Sequence, residues 1–402
     1  MLDKTKQDWA ALAADLEIEG RAFINGRYEN ALSGETRETV CPGDGHKLAD
    51  VANCGVEDAD HAVGIARRAF ESGVWTNMAP ADRKMVLVRW AELIDDHADE
   101  IALLECLDVG KPIADTTGVD VPSAVRTIRW SGEAIDKVYD EIPPTPGDTL
   151  ALVQRLPLGV VAAIVPWNFP LSTTAWKLAP ALATGNSVIL KPASNTPLSA
   201  LRIAALASEA GLPDGVLQVL PGPGGSLGKH LSLHEDIDGL TFTGSTEIGK
   251  QLMRYSGESN LKRTFLELGG KSPNIVFADA NLDKAATFAA IAVFYNGGQT
   301  CTAGTRLIVE NSVREQFVEL VAEKSQAWMP GDPLDPATTM GPMIDAAQLK
   351  TVADYVGIGQ EEGASLVFGG KQVMADSGGC YHEPTVFDGV NNDMRIAQEE
   401  IF

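Results

Sequence analysis

The sequence predicts an α/β protein built on parallel sheets, and three observations carry that reading. From residue 155 to about 256, apolar segments of strand length alternate with helical patterns. The first of them, 160–165, is apolar throughout, as a strand covered on both faces would be. A second alternation starts with a strand at 305–310 and a helix at 311–327.

Taken in order, residues 8–17 and 56–73 carry amphipathic helical patterns, with short strand pieces at 22–25 and 39–41 between them. Val86, Leu87, Trp90, Leu93, Ile94, Ile101 and Leu104 recur at helical spacing, which predicts one long helix over 80–108, and another follows at 119–138. The Pro-rich stretch 141–147 breaks the chain and marks the edge of a protruding connection. Strands are then expected at 187–190, 215–220, 239–243, 263–267 and 274–277, and helices at 197–210, 224–232, 246–256 and 281–296.

At 402 residues the chain can hold two or three domains with real cores. Its formal net charge of -23 repels nucleic acid and anionic membranes, so neither is expected as a partner. No apolar run approaches the roughly 18 residues that span a bilayer. The N-terminal residues have no apolar signal core, and a cytoplasmic location is expected. Five cysteines, odd in number and far apart, suggest free thiols in a reducing compartment. Neither they nor the six histidines show metal-ligand spacing, so no metal is expected.

Four short segments can carry chemistry. Asn296-Gly297-Gly298-Gln299-Thr300-Cys301 puts a thiol after a Gly-rich turn at a helix end, where it could act as a nucleophile or simply fill the core. In Leu266-Glu267-Leu268-Gly269-Gly270, Glu267 closes an apolar strand. It could cap a turn, or act as a general base with its pKa raised by apolar neighbours. Val165-Pro166-Trp167-Asn168 follows a buried strand, where ligands of open α/β sheets sit, and Asn168 could donate to an oxyanion or merely turn the chain. Phe242-Thr243-Gly244-Ser245 joins a strand to a helix, with Ser245 a candidate N-cap and the helix N–H groups available to a pyrophosphate. The Gly-rich segment around Gly224 could cradle phosphate or only turn.

Together these segments resemble the aldehyde dehydrogenase superfamily, over essentially the whole chain and with Glu267 and Cys301 spaced 34 residues apart in that order. The resemblance implies two Rossmann-type parallel-sheet domains and a protruding assembly arm. Residues 1–141 and 157–266 would bind the dinucleotide, 142–156 would form half of the arm, and 267–402 would be a catalytic domain incomplete at its C-terminus. It also implies that an aldehyde is oxidised to an acid with NAD or NADP, through a thiohemiacetal and a thioester on Cys301. Glu267 would then be the general base, Asn168 with the Cys301 N–H the oxyanion hole, and Lys177 a lysine near the active site. Val165, Pro166, Trp167, Lys191, Ser194, Gly224, Phe242, Gly244, Ser245, Leu268, Gly269, Gln348, Glu400 and Phe402 would surround the cofactor.

Within the superfamily, Arg129-Trp130, the segment 134–139 and the segment 330–340 look similar to bacterial enzymes for gamma-glutamyl-gamma-aminobutyraldehyde and related omega-amino aldehydes of polyamine breakdown. Two departures stand out. Ser194 replaces the glutamate that pairs with ribose hydroxyls in many NAD-preferring relatives, so NADP should be accepted. The chain also stops at Glu-Glu-Ile-Phe, where relatives continue, so a homo-oligomer is expected only of a full-length protein and weak activity of this one. A coenzyme A-acylating semialdehyde dehydrogenase and an inactive dinucleotide-binding fragment are the alternatives. An activated water, and hence Glu267, argues against the first.

Overall fold

The computed structural model describes residues 4–402. A capping box starts α1 (Lys6–Ala14): the Asp8 N–H donates to the Thr5 hydroxyl, and the Thr5 N–H donates to the Asp8 carboxylate at 2.8 Å. Two hairpins follow, β1 (Ala22–Ile24) with β2 (Arg27–Glu29) and β3 (Thr36–Val40) with β4 (Lys47–Ala52). Helix α2 (Val56–Ser72) stops at Gly73 in the left-handed conformation.

The single helix expected over 80–108 is two, α3 (Pro80–Asp96) and α4 (Ala98–Val109), broken at His97. The His97 ring nitrogen Nδ1 lies 2.9 Å from the Leu93 carbonyl and so ends the first helix, while apolar periodicity runs on unbroken across the joint. After the single turn α5 (Ile113–Asp115) and a wide turn at Thr116–Asp120 comes α6 (Val121–Ala134). In the exposed stretch beyond it Glu141 and Val153 exchange backbone hydrogen bonds at 3.0 and 2.8 Å and Arg155 donates to the Tyr139 carbonyl at 3.1 Å, and Ile142, Leu150, Leu152 and Leu156 are exposed along it.

The alternating region folds as β5 (Val160–Ile164), α7 (Pro170–Ala183), β6 (Ser187–Lys191), α8 (Leu198–Glu209), β7 (Leu217–Val219), α9 (Lys229–Leu233), β8 (Gly239–Gly244), α10 (Thr246–Glu258) and β9 (Arg263–Leu268). These strands form a seven-stranded sheet in the order β2-β1-β7-β6-β5-β8-β9, parallel from β7 to β9, with β1 antiparallel at the other side. Every residue of β5 and β6 is buried, which is why those segments read as continuous apolar runs. The buried indoles of Trp75 and Trp90 donate to the carbonyls of Leu182 (2.9 Å) and Ile203 (2.8 Å), so the helical layer is fixed in register as well as packed.

Beyond the large sheet lie β10 (Pro273–Val276), α11 (Leu282–Phe294), β11 (Arg306–Val309), α12 (Arg314–Ser325), α13 (Ala346–Glu361), β12 (Ser365–Phe368), β13 (Val386–Asp388) and α14 (Arg395–Gln398). Here β10 and β11 pair in parallel, and β12 and β13 pair antiparallel. Strand β9 carries Glu267 and Leu268 as the last residues of the large sheet, so a domain boundary between 266 and 267 falls inside a strand. Among the described residues, no helix is long and apolar enough to cross a membrane.

Candidate active site

Strand order reverses at β5: β6 and β7 follow on one side, β8 and β9 on the other. The crevice outside the carboxyl ends of strands at such a switch point is where open parallel sheets bind ligands. The chain puts its chemistry there. Val165, Pro166, Trp167 and Asn168 leave the end of β5, Lys191 ends β6, Gly244 ends β8 and Glu267 stands at the end of β9.

The Cys301 turn is built by backbone conformations that few side chains accept. Asn296, Gly297 and Gly298 all have positive φ (53°, 64° and 81°), which turns the chain sharply after α11. Gln299 is buried and donates to the Asn296 carbonyl at 3.0 Å, while its side-chain oxygen accepts from the Ile344 N–H at 3.0 Å. Asn168, also buried, donates from Nδ2 to the Gln299 carbonyl at 2.9 Å and accepts on its backbone carbonyl from Asn296 at 3.0 Å. The thiol is thereby fixed to the end of β5. Asn296 and Gln299 were not singled out from the sequence as anything but turn residues, although a polar pair flanking Gly-Gly was the available signal.

Cys301 is half-buried. Burial and then the nearby Glu267 carboxylate raise its pKa; the Cys301 N–H opposes them, and Glu400 adds to the rise. Glu267 itself is exposed, alternating with half-buried Leu266 and Leu268 along the edge strand. The apolar enclosure expected around this carboxylate is therefore not what the strand provides: its side chain falls on the open side of the pleat. Lys177 reaches the same region from α7. It is buried, its ammonium donates to Thr241 Oγ at 3.2 Å, and burial pushes its pKa down to about 8 against the pull of Glu267.

Glu400 lies against the Gly269-Gly270 pair and accepts from the Gly270 N–H at 3.3 Å. A Cβ on Gly269 would stand 1.8 Å from the Glu400 carboxylate, so only glycine admits this approach. Gln348 donates to the carbonyls of Ile401, at 3.2 Å, and Phe402. The Phe402 ring meets Trp167 edge-on at 5.3 Å. Glu267 at the end of β9 and Glu400 near the last residues thus both bear on the Cys301 thiol.

Along the crevice, the remaining residues fit a dinucleotide. Ser245 caps α10 by accepting from the Ile248 N–H at 3.3 Å, and the first turn of that helix is exposed. Its N–H groups suit a pyrophosphate. Gly224 is exposed, with open space where a side chain would be. Lys191 is buried, its ammonium on the Pro192 carbonyl at 2.8 Å, and burial together with Arg37 pushes its pKa down to about 8. Arg37, a second cation beside Lys191, was not legible as a site residue, because it comes from the β3 hairpin. Ser194 donates to the Gly222 carbonyl at 2.9 Å. Phe242 is buried, and its ring tip reaches the end of β8, where a Cβ on Gly244 would stand 2.5 Å from it.

Residues 28–402 match the aldehyde dehydrogenase family. The chain is 51% identical to the NADP/NAD-dependent aldehyde dehydrogenase PuuC of Escherichia coli K12, covering 98% of this chain and 79% of that protein. It is 58% identical to the indole-3-acetaldehyde dehydrogenase AldA of P. syringae, solved with NAD+ and IAA, with a TM-score of 0.98 over 99% of this chain and 81% of that one. It is 53% identical to a gamma-glutamyl-gamma-aminobutyraldehyde dehydrogenase of Burkholderia cenocepacia J2315, with a TM-score of 0.97 over 99% of this chain and 80% of that one. The chain belongs to the aldehyde dehydrogenase family and is an NAD(P)-dependent enzyme that oxidises an aldehyde.

Proposed function

We propose that Cys301 is the nucleophile, Glu267 the general base, and Asn168 with the Cys301 N–H the oxyanion hole, and that the substrate is an omega-amino or gamma-glutamylamino aldehyde. The observation that carries the assignment of roles is the convergence of the Cys301 thiol and the Glu267 carboxylate on a turn tied to Asn168. As the thiolate adds to the aldehyde carbon, charge moves to the carbonyl oxygen. Asn168 Nδ2 has two hydrogens, of which Gln299 takes one, so the second serves that oxygen with the Cys301 N–H. The bound nicotinamide supplies the hydride acceptor. Once Cys301 holds the acyl group as a thioester, Glu267 takes a proton from the water that attacks it, and the acid departs.

Lys191 and Ser194 would hold the adenosine ribose, Gly244, Ser245 and Gly224 the pyrophosphate, and Glu400, Phe402 and Gln348 the nicotinamide end. Lys177 would steady Glu267. A hydroxyl at position 194, with Lys191 and Arg37 beside it, tolerates a 2′-phosphate that a carboxylate would repel. The substrate assignment draws on the relatives' substrates. Segment 142–156, with its exposed leucines, would serve assembly with further copies.

The test is a panel of gamma-glutamylaminobutyraldehyde, an unmodified omega-aminoaldehyde and indole-3-acetaldehyde, followed by growth of reduced-cofactor absorbance. The amino aldehydes should show the higher kcat/KM. A preference for the indole aldehyde would overturn the substrate class while leaving the roles intact. Release of acid without coenzyme A separates hydrolysis at Glu267 from acyl transfer.

A further inference from the structure

Away from the crevice, three donors meet on the flank of the large sheet. His230 and His234 stand one turn apart at α9, and Asp60 comes from α2. His230 Nε2 lies 2.6 Å from Asp60 Oδ1, and His234 Nε2 lies 3.4 Å from the same oxygen. All three donor atoms are within 4.8 Å of one another. The two rings are perpendicular with centroids 5.6 Å apart, so neither stacks over the other. The catalytic and dinucleotide residues make no use of this cluster.

We propose that Asp60, His230 and His234 form a binding site for one divalent transition-metal ion of the zinc class. Two imidazoles and a carboxylate are a donor set that zinc accepts, and ligand atoms about 2.0–2.2 Å from a tetrahedral ion stand about 3.4 Å apart. The His234–Asp60 pair is already at that spacing, and the His230–Asp60 pair needs only to open from 2.6 Å. Asp60 can follow, since its side chain is 56% exposed. Water completes the fourth position.

Proton placement sets a limit on affinity. The Asp236 N–H donates to His234 Nδ1 at 3.1 Å, so in the metal-free protein the neutral ring carries its proton on Nε2, which lies 3.4 Å from Asp60. Coordination through Nε2 moves that proton to Nδ1, and the Asp236 N–H loses its acceptor. An open three-ligand site with this cost binds more weakly than a closed structural zinc site. Its effect is mechanical: the ion adds a polar tie between α2 and α9, which already share an apolar cluster containing Ala59, Ala62 and Leu231. Contrary to the expectation that no histidines show metal-ligand spacing, His230 and His234 form a His-x3-His pair, a spacing zinc sites use, and the third donor lies 170 residues before His230.

Zinc titrated calorimetrically into the chain with Cys301→Ser, which removes the reactive thiol, should show a saturable site. Affinity should fall by about tenfold or more with His230→Ala or His234→Gln and stay unchanged with His61→Ala. Diffraction from zinc-soaked crystals of the unaltered chain at the zinc absorption edge should place an anomalous peak between the three side chains. That measurement needs no variant to fold. An isotherm indifferent to His230→Ala, or anomalous density only elsewhere, overturns the proposal.

Discussion

The side-chain amide of Asn168 donates to the backbone carbonyl of Gln299 at 2.9 Å, across 131 positions of sequence. Asn296 returns a bond to the Asn168 carbonyl at 3.0 Å, so the strand end and the Cys301 turn form one rigid frame. In such a frame both proposed oxyanion donors hold their places before substrate arrives, and no reorganisation is needed as charge develops.

Asn168→Ala removes one donor and one strut of the frame. It should lower kcat by about 10²–10³ with KM for the cofactor little changed. Steady-state kinetics with saturating NAD checks this, and an unchanged kcat would remove Asn168 from the oxyanion hole.

Glu267→Gln keeps shape and hydrogen bonding but cannot accept a proton. Turnover should fall by about 10²–10⁴, while the first equivalent of reduced cofactor still forms rapidly. Stopped-flow absorbance should therefore show a burst followed by a slow steady state. Equal slowing of both phases would place Glu267 earlier in the reaction.

The same substitution has an electrostatic signature. The Glu267 charge disfavours a second negative charge on the Cys301 sulfur and so raises the thiol pKa above its ordinary value, after burial as the larger cause. Removing that charge lowers the pKa, so more thiolate exists at a given pH. Iodoacetamide labelling of Cys301, read by peptide mass spectrometry against pH, should shift to lower pH in Glu267→Gln. A shift to higher pH would show that Glu267 stabilises the thiolate instead.

Ser194→Glu puts a carboxylate beside Lys191 and Arg37. Repulsion from a 2′-phosphate should reduce kcat/KM for NADP by about tenfold or more, as about 1.4 kcal/mol of charge repulsion would, and change NAD much less. Similar losses with both cofactors would mean that Ser194 does not face the ribose.

The parallel sheet was legible because β5 and β6 are buried on both faces and, between Ser187 and Lys191 at the two ends of β6, carry only apolar residues. The four segments of the site were legible because each joins a strand or helix to a Gly- or Pro-containing turn. What was not legible depended on contacts between distant residues. The break at His97 lies within a regular apolar rhythm, and only the ring's bond to Leu93 marks it. Strand β1 joins the sheet antiparallel to β7, almost 200 positions later, through the single pair Phe23–Val219. Arg37 and Asp60 acquire partners only through folding. The exposure of Glu267 follows from its being on an edge strand, which an apolar segment does not reveal.

The most direct test is to mix the Glu267→Gln variant with aldehyde and NAD, quench, and map the mass of every cysteine-containing peptide. One acyl group should be found per chain, on Cys301, matched by one equivalent of reduced cofactor. An acyl group on Cys41 or Cys380, or reduced cofactor formed with Cys301 unmodified, would contradict the assignment of the nucleophile.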